Sequence, residues 1–228
     1  MSTHNAPPRI FVTTLAWLAP GGREALSTFR ARAGGLFAKH DLRVERTLVG
    51  HGKGQLVGSN PHDVPDVLQV FSLPSLDAFS AYTKDPEYVR LASERDAGVA
   101  RLTAIIGDVL PDDPSSASVS DVRRRLYAMA FVRFHPGGDA AMAEFNAQAQ
   151  TLFARHGMHI ERTFRVAKTV TPVGAPLADF APERVVVFFV DDPSALRAYA
   201  TDPEYTERAA ARDRGLRAYD FFLGTEST

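Results

Sequence analysis

The sequence predicts an α+β protein built from two tandem β-α-β-β-α-β units. Three observations carry this. The chain repeats itself: "LFAKHDLRVERT" at 36–47 matches "LFARHGMHIERT" at 152–163, and "DPEYVRLASERDAG" at 85–98 matches "DPEYTERAAARDRG" at 202–215. Each half alternates strand-like and helix-like stretches in the same order. Several strands are apolar on both sides, as in "VVVFFV", which implies a sheet buried on both faces.

The elements of the first half follow from residue pattern. "RIFVTTLAWL" (9–18) is rich in β-branched and aromatic residues and reads as a strand. Gly21 and Gly22 end it. From Arg23 to His40 the residues Leu26, Phe29, Ala33, Leu36 and Phe37 form a helical stripe. "LRVERTLVG" (42–50) alternates as a second strand, followed by a Gly-containing loop. "DVLQVFSL" (66–73) is the third strand. Residues 75–97 form a broken helical stretch restarted at Asp85, where Asp caps and Pro86 takes the first helical position. "VARLTAIIG" (99–107) closes the unit, and the second half repeats the order with "RLYAMAFVRF", "MHIERTFRV", "RVVVFFV" and "LRAYDFFLG".

This order is the ferredoxin-like split βαβ arrangement. The expected domains are 9–110 and 124–224, joined by a polar, Pro- and Ser-rich linker at 111–123. The open sheet faces are expected to pack on each other as an intramolecular barrel with the helices outside.

Composition narrows the function. Net charge is −1, with no basic patch for nucleic acid and no apolar run of membrane-spanning length. The N-terminus lacks the apolar core of a signal peptide, and a cytoplasmic protein is expected. Cysteine is absent, which removes disulfides, thiolate metal sites and a thiol nucleophile. There is no phosphate loop, no serine elbow and no H-E-x-x-H.

The "AY-x-x-DPEY" helix start, Arg95 and Arg212, and the closing Gly107 and Gly224 resemble the dimeric α/β-barrel superfamily. The nearest resemblance is to its small uncharacterised bacterial proteins and its antibiotic-biosynthesis-monooxygenase-like members. Those usually pair as single domains, so this chain resembles a fused pair, with a further homodimer open. The resemblance implies a small-molecule pocket and an enzyme of cofactor-free monooxygenase, cyclase or isomerase type, as in bacterial natural-product pathways. A non-catalytic binder or scaffold is the alternative. A haem enzyme, with His40, His156 or a loop histidine as axial ligand, is a further one.

The candidate residues come from comparing the halves. Of the 22 aromatic residues 14 lie in the second half, so the main pocket is expected there. Tyr127, Phe131, Phe164 and Phe188 are candidate walls. Asp220 stands among Tyr219, Phe221 and Phe222, either as a general base of raised pKa or as a solvent-side residue. Arg162 is placed by alternation on the face of Ile160 and Phe164, and its counterpart Arg46 on that of Val44 and Leu48. Each is either a structural ion pair to a helix carboxylate such as Glu94, an arginine whose head reaches solvent, or an anion ligand. His51 and His62 lie in a Gly-rich loop at 50–63 whose second-half counterpart, 167–179, has no histidine; they are either an acid and base or solvated loop histidines, at a spacing that matches no metal site. Trp17, the single tryptophan, is pocket wall or core. The expected partner is a small organic molecule, with no cofactor and no metal.

Overall fold

The computed structural model describes residues 9–110 and 125–227; the expected linker at 111–123 lies outside the described residues. The elements run β1 (Ile10–Leu18), α1 (Gly22–Lys39), β2 (Arg43–Val57), β3 (Val67–Leu73), α2 (Leu76–Lys84), α3 (Pro86–Ala97) and β4 (Val99–Val109). They continue as β5 (Leu126–Phe134), α4 (Gly138–Gln148), α5 (Gln150–Arg155), β6 (Met158–Val173), β7 (Arg184–Val190), α6 (Ser194–Ala200), α7 (Pro203–Gly215) and β8 (Leu216–Glu226). The chain is thus mixed α+β with eight strands, hydrogen-bonded in the order β1-β3-β2-β8-β5-β7-β6-β4.

Two compact units divide this chain. One gathers the residues through Thr47, Pro65–Val109 and Ala167–Ala178; the other gathers Leu48–Val64, Leu110–Val166 and Asp179 onward. Strands β2 and β6 therefore each serve both units. They are longer than the alternation alone suggests: the "GHGKG" stretch expected as a loop is strand, because its second half pairs with β8 from Leu48↔Glu226 to Val57↔Tyr219. Gly54 makes this pairing possible, since an added Cβ would meet the Phe221 ring at 2.3 Å.

In the first unit β1 lies between β3 and β4, both antiparallel to it. In the second, β5 lies between β7 and β8. One face of the second unit's sheet, with Ala128, Ala130, Val132 and Val186, packs on Met142 and Phe145 of α4 and Tyr205 and Ala209 of α7. The same relation holds in the first unit, where Ile10, Val12 and Ala104 pack with Leu36 of α1 and Tyr82 of α2.

The DPEY motif joins two helices in each unit. Asp85 caps α3 through the Glu87 N–H at 2.9 Å and also pairs with Lys39 Nζ at 2.7 Å and His40 Nε2 at 2.9 Å. Asp202 caps α7 at 2.8 Å and pairs with His156 Nε2 at 2.8 Å. The hydrogen bonds from Lys39, His40 and the Glu87 N–H hold the Asp85 carboxyl far below the usual range, and those from His156 and the Glu204 N–H lower that of Asp202. A carboxyl of depressed native pKa contributes stability above its unfolded pKa of about 4, and that contribution is lost as pH falls through the native value. The melting temperature is therefore expected to drop on acidification below about pH 4. The Asp85→Asn/Asp202→Asn double variant should melt lower at pH 7 and respond less to acid; an unchanged acid slope in thermal melts would remove the role assigned to both carboxylates.

Candidate functional site

Each unit contains its own cavity between sheet and helices. In the second unit it measures about 320 Å³ and in the first about 310 Å³. Such volumes suit a small organic ligand. The walls are overwhelmingly apolar. In the second unit Phe145 and Met142 of α4, Ile160 of β6, Phe188 of β7, and Tyr219 and Phe221 of β8 enclose the space. Phe29, Phe37, Phe71 and Phe79 do so in the first.

The polar equipment of the second cavity is a tyrosine–arginine cluster. Tyr199 and Tyr205 pack with their rings tilted at 51° and centroids 4.5 Å apart. Arg212, 2% exposed, donates from Nη2 to the Tyr205 hydroxyl at 3.1 Å. Its guanidinium stacks over Phe145 at 4.6 Å, Tyr205 at 5.3 Å and Tyr219 at 5.9 Å. Its charge is balanced by Asp213 at 2.6 Å. Burial pushes the Tyr219 hydroxyl up to about 12 and raises that of Tyr199 as well. These phenols stay protonated at neutral pH and remain hydrogen-bond donors. The first cavity repeats the core of this cluster. Tyr82 and Tyr88 lie 4.5 Å apart, and Arg95 donates to the Tyr88 hydroxyl at 3.3 Å. Leu102 stands there in place of Tyr219.

The residues expected from the sequence are distributed differently. Phe188 lines the second cavity. Tyr127, Phe131 and Phe164 are buried, but they lie outside it. Tyr127 and Phe131 alternate with Ala128, Ala130 and Val132, and Phe164 pairs with Val185, the partner of Phe131, so all three occupy the face turned away from the helices, where Phe131 meets Phe180 and Phe222. Asp220 pairs in register with Phe131 on this face, while its neighbours Tyr219 and Phe221 reach the cavity. It is 2% exposed, and its cation is Arg133 at 3.5 Å rather than Arg162. Burial raises its pKa and Arg133 opposes the rise.

Arg162 is not on the face of Ile160. A register shift between Ile160 and Arg162 sets Ile160 against Phe188 and Arg162 against Val187, so simple alternation misplaces it. Strands β7 and β5 stand between its strand and that of Asp220. Arg46 lines neither cavity, and Glu94 pairs with Arg32 and Arg90. His51 contacts the Thr225 hydroxyl at 2.6 Å, His62 lies edge-on to Phe180, and Trp17 lies under Arg101 at 5.5 Å. None of these three lines a cavity.

The cluster of Tyr199, Tyr205 and Arg212 was not singled out as a site by residue pattern, although its signal is present. All three recur as Tyr82, Tyr88 and Arg95 at one offset, inside the matching segments. The haem-ligand candidates His40 and His156 line neither cavity and are held by Asp85 and Asp202; His159 lines the second cavity, with its ring stacked on Phe189 at 4.9 Å. Among the described residues no group of three His, Asp or Glu side chains is arranged to hold a metal, and no helix is long and apolar enough to cross a membrane.

No protein-family model and no curated protein matches the chain. Solved structures do. An anthrone oxidase-like protein is 12% identical with a TM-score of 0.62, covering 98% of this chain and 93% of its own. A monooxygenase candidate from Fusobacterium nucleatum subsp. nucleatum ATCC 25586 is 11% identical with a TM-score of 0.60, covering 98% and 94%. A mutant chlorite dismutase from Candidatus Nitrospira defluvii is 11% identical with a TM-score of 0.59, covering 96% and 92%. At these identities the likeness concerns the backbone. With the eight-stranded antiparallel sheet, it agrees with a dimeric α/β-barrel fold.

Proposed function

We propose that the chain is a small-molecule oxygenase that needs no cofactor, arisen by duplication of one β-α-β-β-α-β unit, with its chemistry in the second unit's cavity. The observation that supports this reading is the aromatic cavity containing Tyr199, Tyr205, Tyr219 and the buried Arg212. The substrate class is a planar, electron-rich aromatic bearing a phenol or enolisable carbonyl. Aromatic walls hold the ring. The tyrosine hydroxyls and the permanent guanidinium charge favour the deprotonated oxygen, as preorganised donors do for developing oxyanions. That form is the one that reduces dioxygen. A ring CH₂ loses its two hydrogens, O₂ supplies the new carbonyl oxygen, and one water leaves. The fold likeness to an anthrone oxidase-like protein agrees with this choice of substrate.

The test is dioxygen uptake with anthrone at pH 7 by chelator-treated protein. The expected result is one O₂ consumed per anthraquinone formed, at a rate well above that of a protein-free control. A rate equal to that control defeats the oxygenase reading. A non-catalytic binder is the second reading, favoured by the lack of any carboxylate among the described residues lining either cavity. It predicts saturable anthrone binding without O₂ uptake.

A further inference from the structure

Among the differences between the two cavities, two neighbouring positions decide what they accept. The first is lined by Arg30 of α1, whose counterpart in the repeat is Asn146 of α4, lining the second. Beside Arg30 stands Gln69 of β3, 8% exposed, whose counterpart is Val186. The hydrogen-bond network turns the Gln69 carbonyl oxygen toward Arg30, accepting from Nη2 at 2.9 Å and Nε at 3.3 Å, and from the Thr47 hydroxyl at 3.1 Å. Gln69 thus fixes one edge of the guanidinium and leaves its charge unbalanced.

Among the described residues Arg30 has no carboxylate partner, although it is half-buried. Arg95, the other arginine of this cavity, is paired with Asp96 at 2.7 Å. Among the described residues no Asp or Glu lines the cavity, and exposed Lys168 adds a third cation to its lining. Burial lowers the Arg30 pKa with no anion to offset it. Keeping a desolvated cation unpaired is costly, and an arginine fork matches a carboxylate by two parallel hydrogen bonds.

We propose that the first unit's cavity is a receptor for an aromatic carboxylate, with the ring among Phe29, Phe71 and Phe79 and the carboxylate on Arg30. The second cavity, with Asn146 and Val186 in these places, takes the uncharged counterpart. This rests on the reading that both cavities hold aromatic ligands, and it does not depend on whether oxygen is consumed.

The experiment is calorimetric titration of the full chain with 1-hydroxy-2-naphthoate and, separately, with its uncharged carboxamide. The acid is expected to bind at least about tenfold more tightly, the value of one charge-assisted pair of about 1.4 kcal/mol. Arg30→Met is expected to abolish this preference. Gln69→Glu is expected to do the same by giving Arg30 an internal counter-ion while keeping the side-chain shape. Circular dichroism identifies which variants fold. Equal binding of acid and amide by the unmodified chain, or a retained preference in either folded variant, overturns the proposal. Because the readout is binding, loss of the preference and lack of O₂ uptake with anthrone are separate failures.

Discussion

Gly138→Ala is expected to destabilise the protein by about 3 kcal/mol or more, at the upper end for overpacking a closed contact. Gly138 opens α4, where an added Cβ would meet the Gly215 carbonyl oxygen at 1.9 Å and its carbonyl carbon at 2.7 Å. The obstacle is backbone, and it is held, because the same oxygen accepts from the His135 N–H at 3.0 Å. Relief requires α4 to move away from α7. These helices carry Phe145 and Met142 on one side and Tyr205 and Arg212 on the other, so the movement opens the wall of the second cavity. Melting should fall by about 6–12 °C for a chain of this size, with weakened ligand binding. Gly22→Ala should act in the same way in the first unit, where the Cβ would meet Gly98 oxygen at 1.9 Å. Gly34→Ala is the control of opposite sign. It lies exposed within α1 with nothing within 4 Å of an added Cβ, so helix propensity should stabilise it by up to about 1 kcal/mol. Melting curves of the three variants decide the matter, and a Gly138→Ala protein as stable as its parent would show that the close helix contact is not a constraint.

Arg212→Met should cost about 2–3 kcal/mol of stability and reduce anthrone turnover at least about 100-fold. The stability loss has two sources. The guanidinium leaves its three aromatic neighbours, and the Tyr205 hydroxyl loses its donor at 3.1 Å. Asp213 is partly exposed and is rehydrated, which limits the cost. The rate loss is separate: the cavity loses its buried cation, leaving the exposed Arg197 and Lys53 at its edge, and the remaining tyrosines stabilise an oxyanion as neutral donors. Arg212→Lys keeps the charge but lacks the planar fork, so it should recover part of the rate and little of the packing. Arg95→Met applies the equivalent change in the first unit. It should lower melting comparably and spare turnover, which separates destabilisation from loss of chemistry. Equal turnover losses in the Arg95 and Arg212 variants would contradict the assignment of the chemistry to the second cavity. Both rates are measured by O₂ uptake at a temperature where each variant is folded.

The sequence alone determined the element order, because local signals are strong here. Asp85-Pro86 and Asp202-Pro203 start helices by capping geometry that involves only nearby backbone. The paired glycines end strands, and the apolar stripe of α1 needs no tertiary contact to be seen. These signals recur in the second half at an offset of 116 and, after one inserted residue, 117, but the compact units do not follow the two halves: residues 48–64 group with the second and 167–178 with the first. The tertiary structure alone decided which side chains share a space. Asp220 and Tyr219 are adjacent in the chain, yet a strand sends them to opposite faces, and only the helices show which face holds the cavity. Arg162 was misplaced because one bulge at Glu161 reverses the alternation beyond it. The Gly-rich stretch at 50–54 looked like a loop because its strand character comes from pairing with β8, a partner more than 160 residues away. Arg30 gave no sign of its role for the same reason. What distinguishes it from any surface arginine of a helix is Gln69 beside it and the lack, among the described residues, of a carboxylate paired with it, and both are properties of packing.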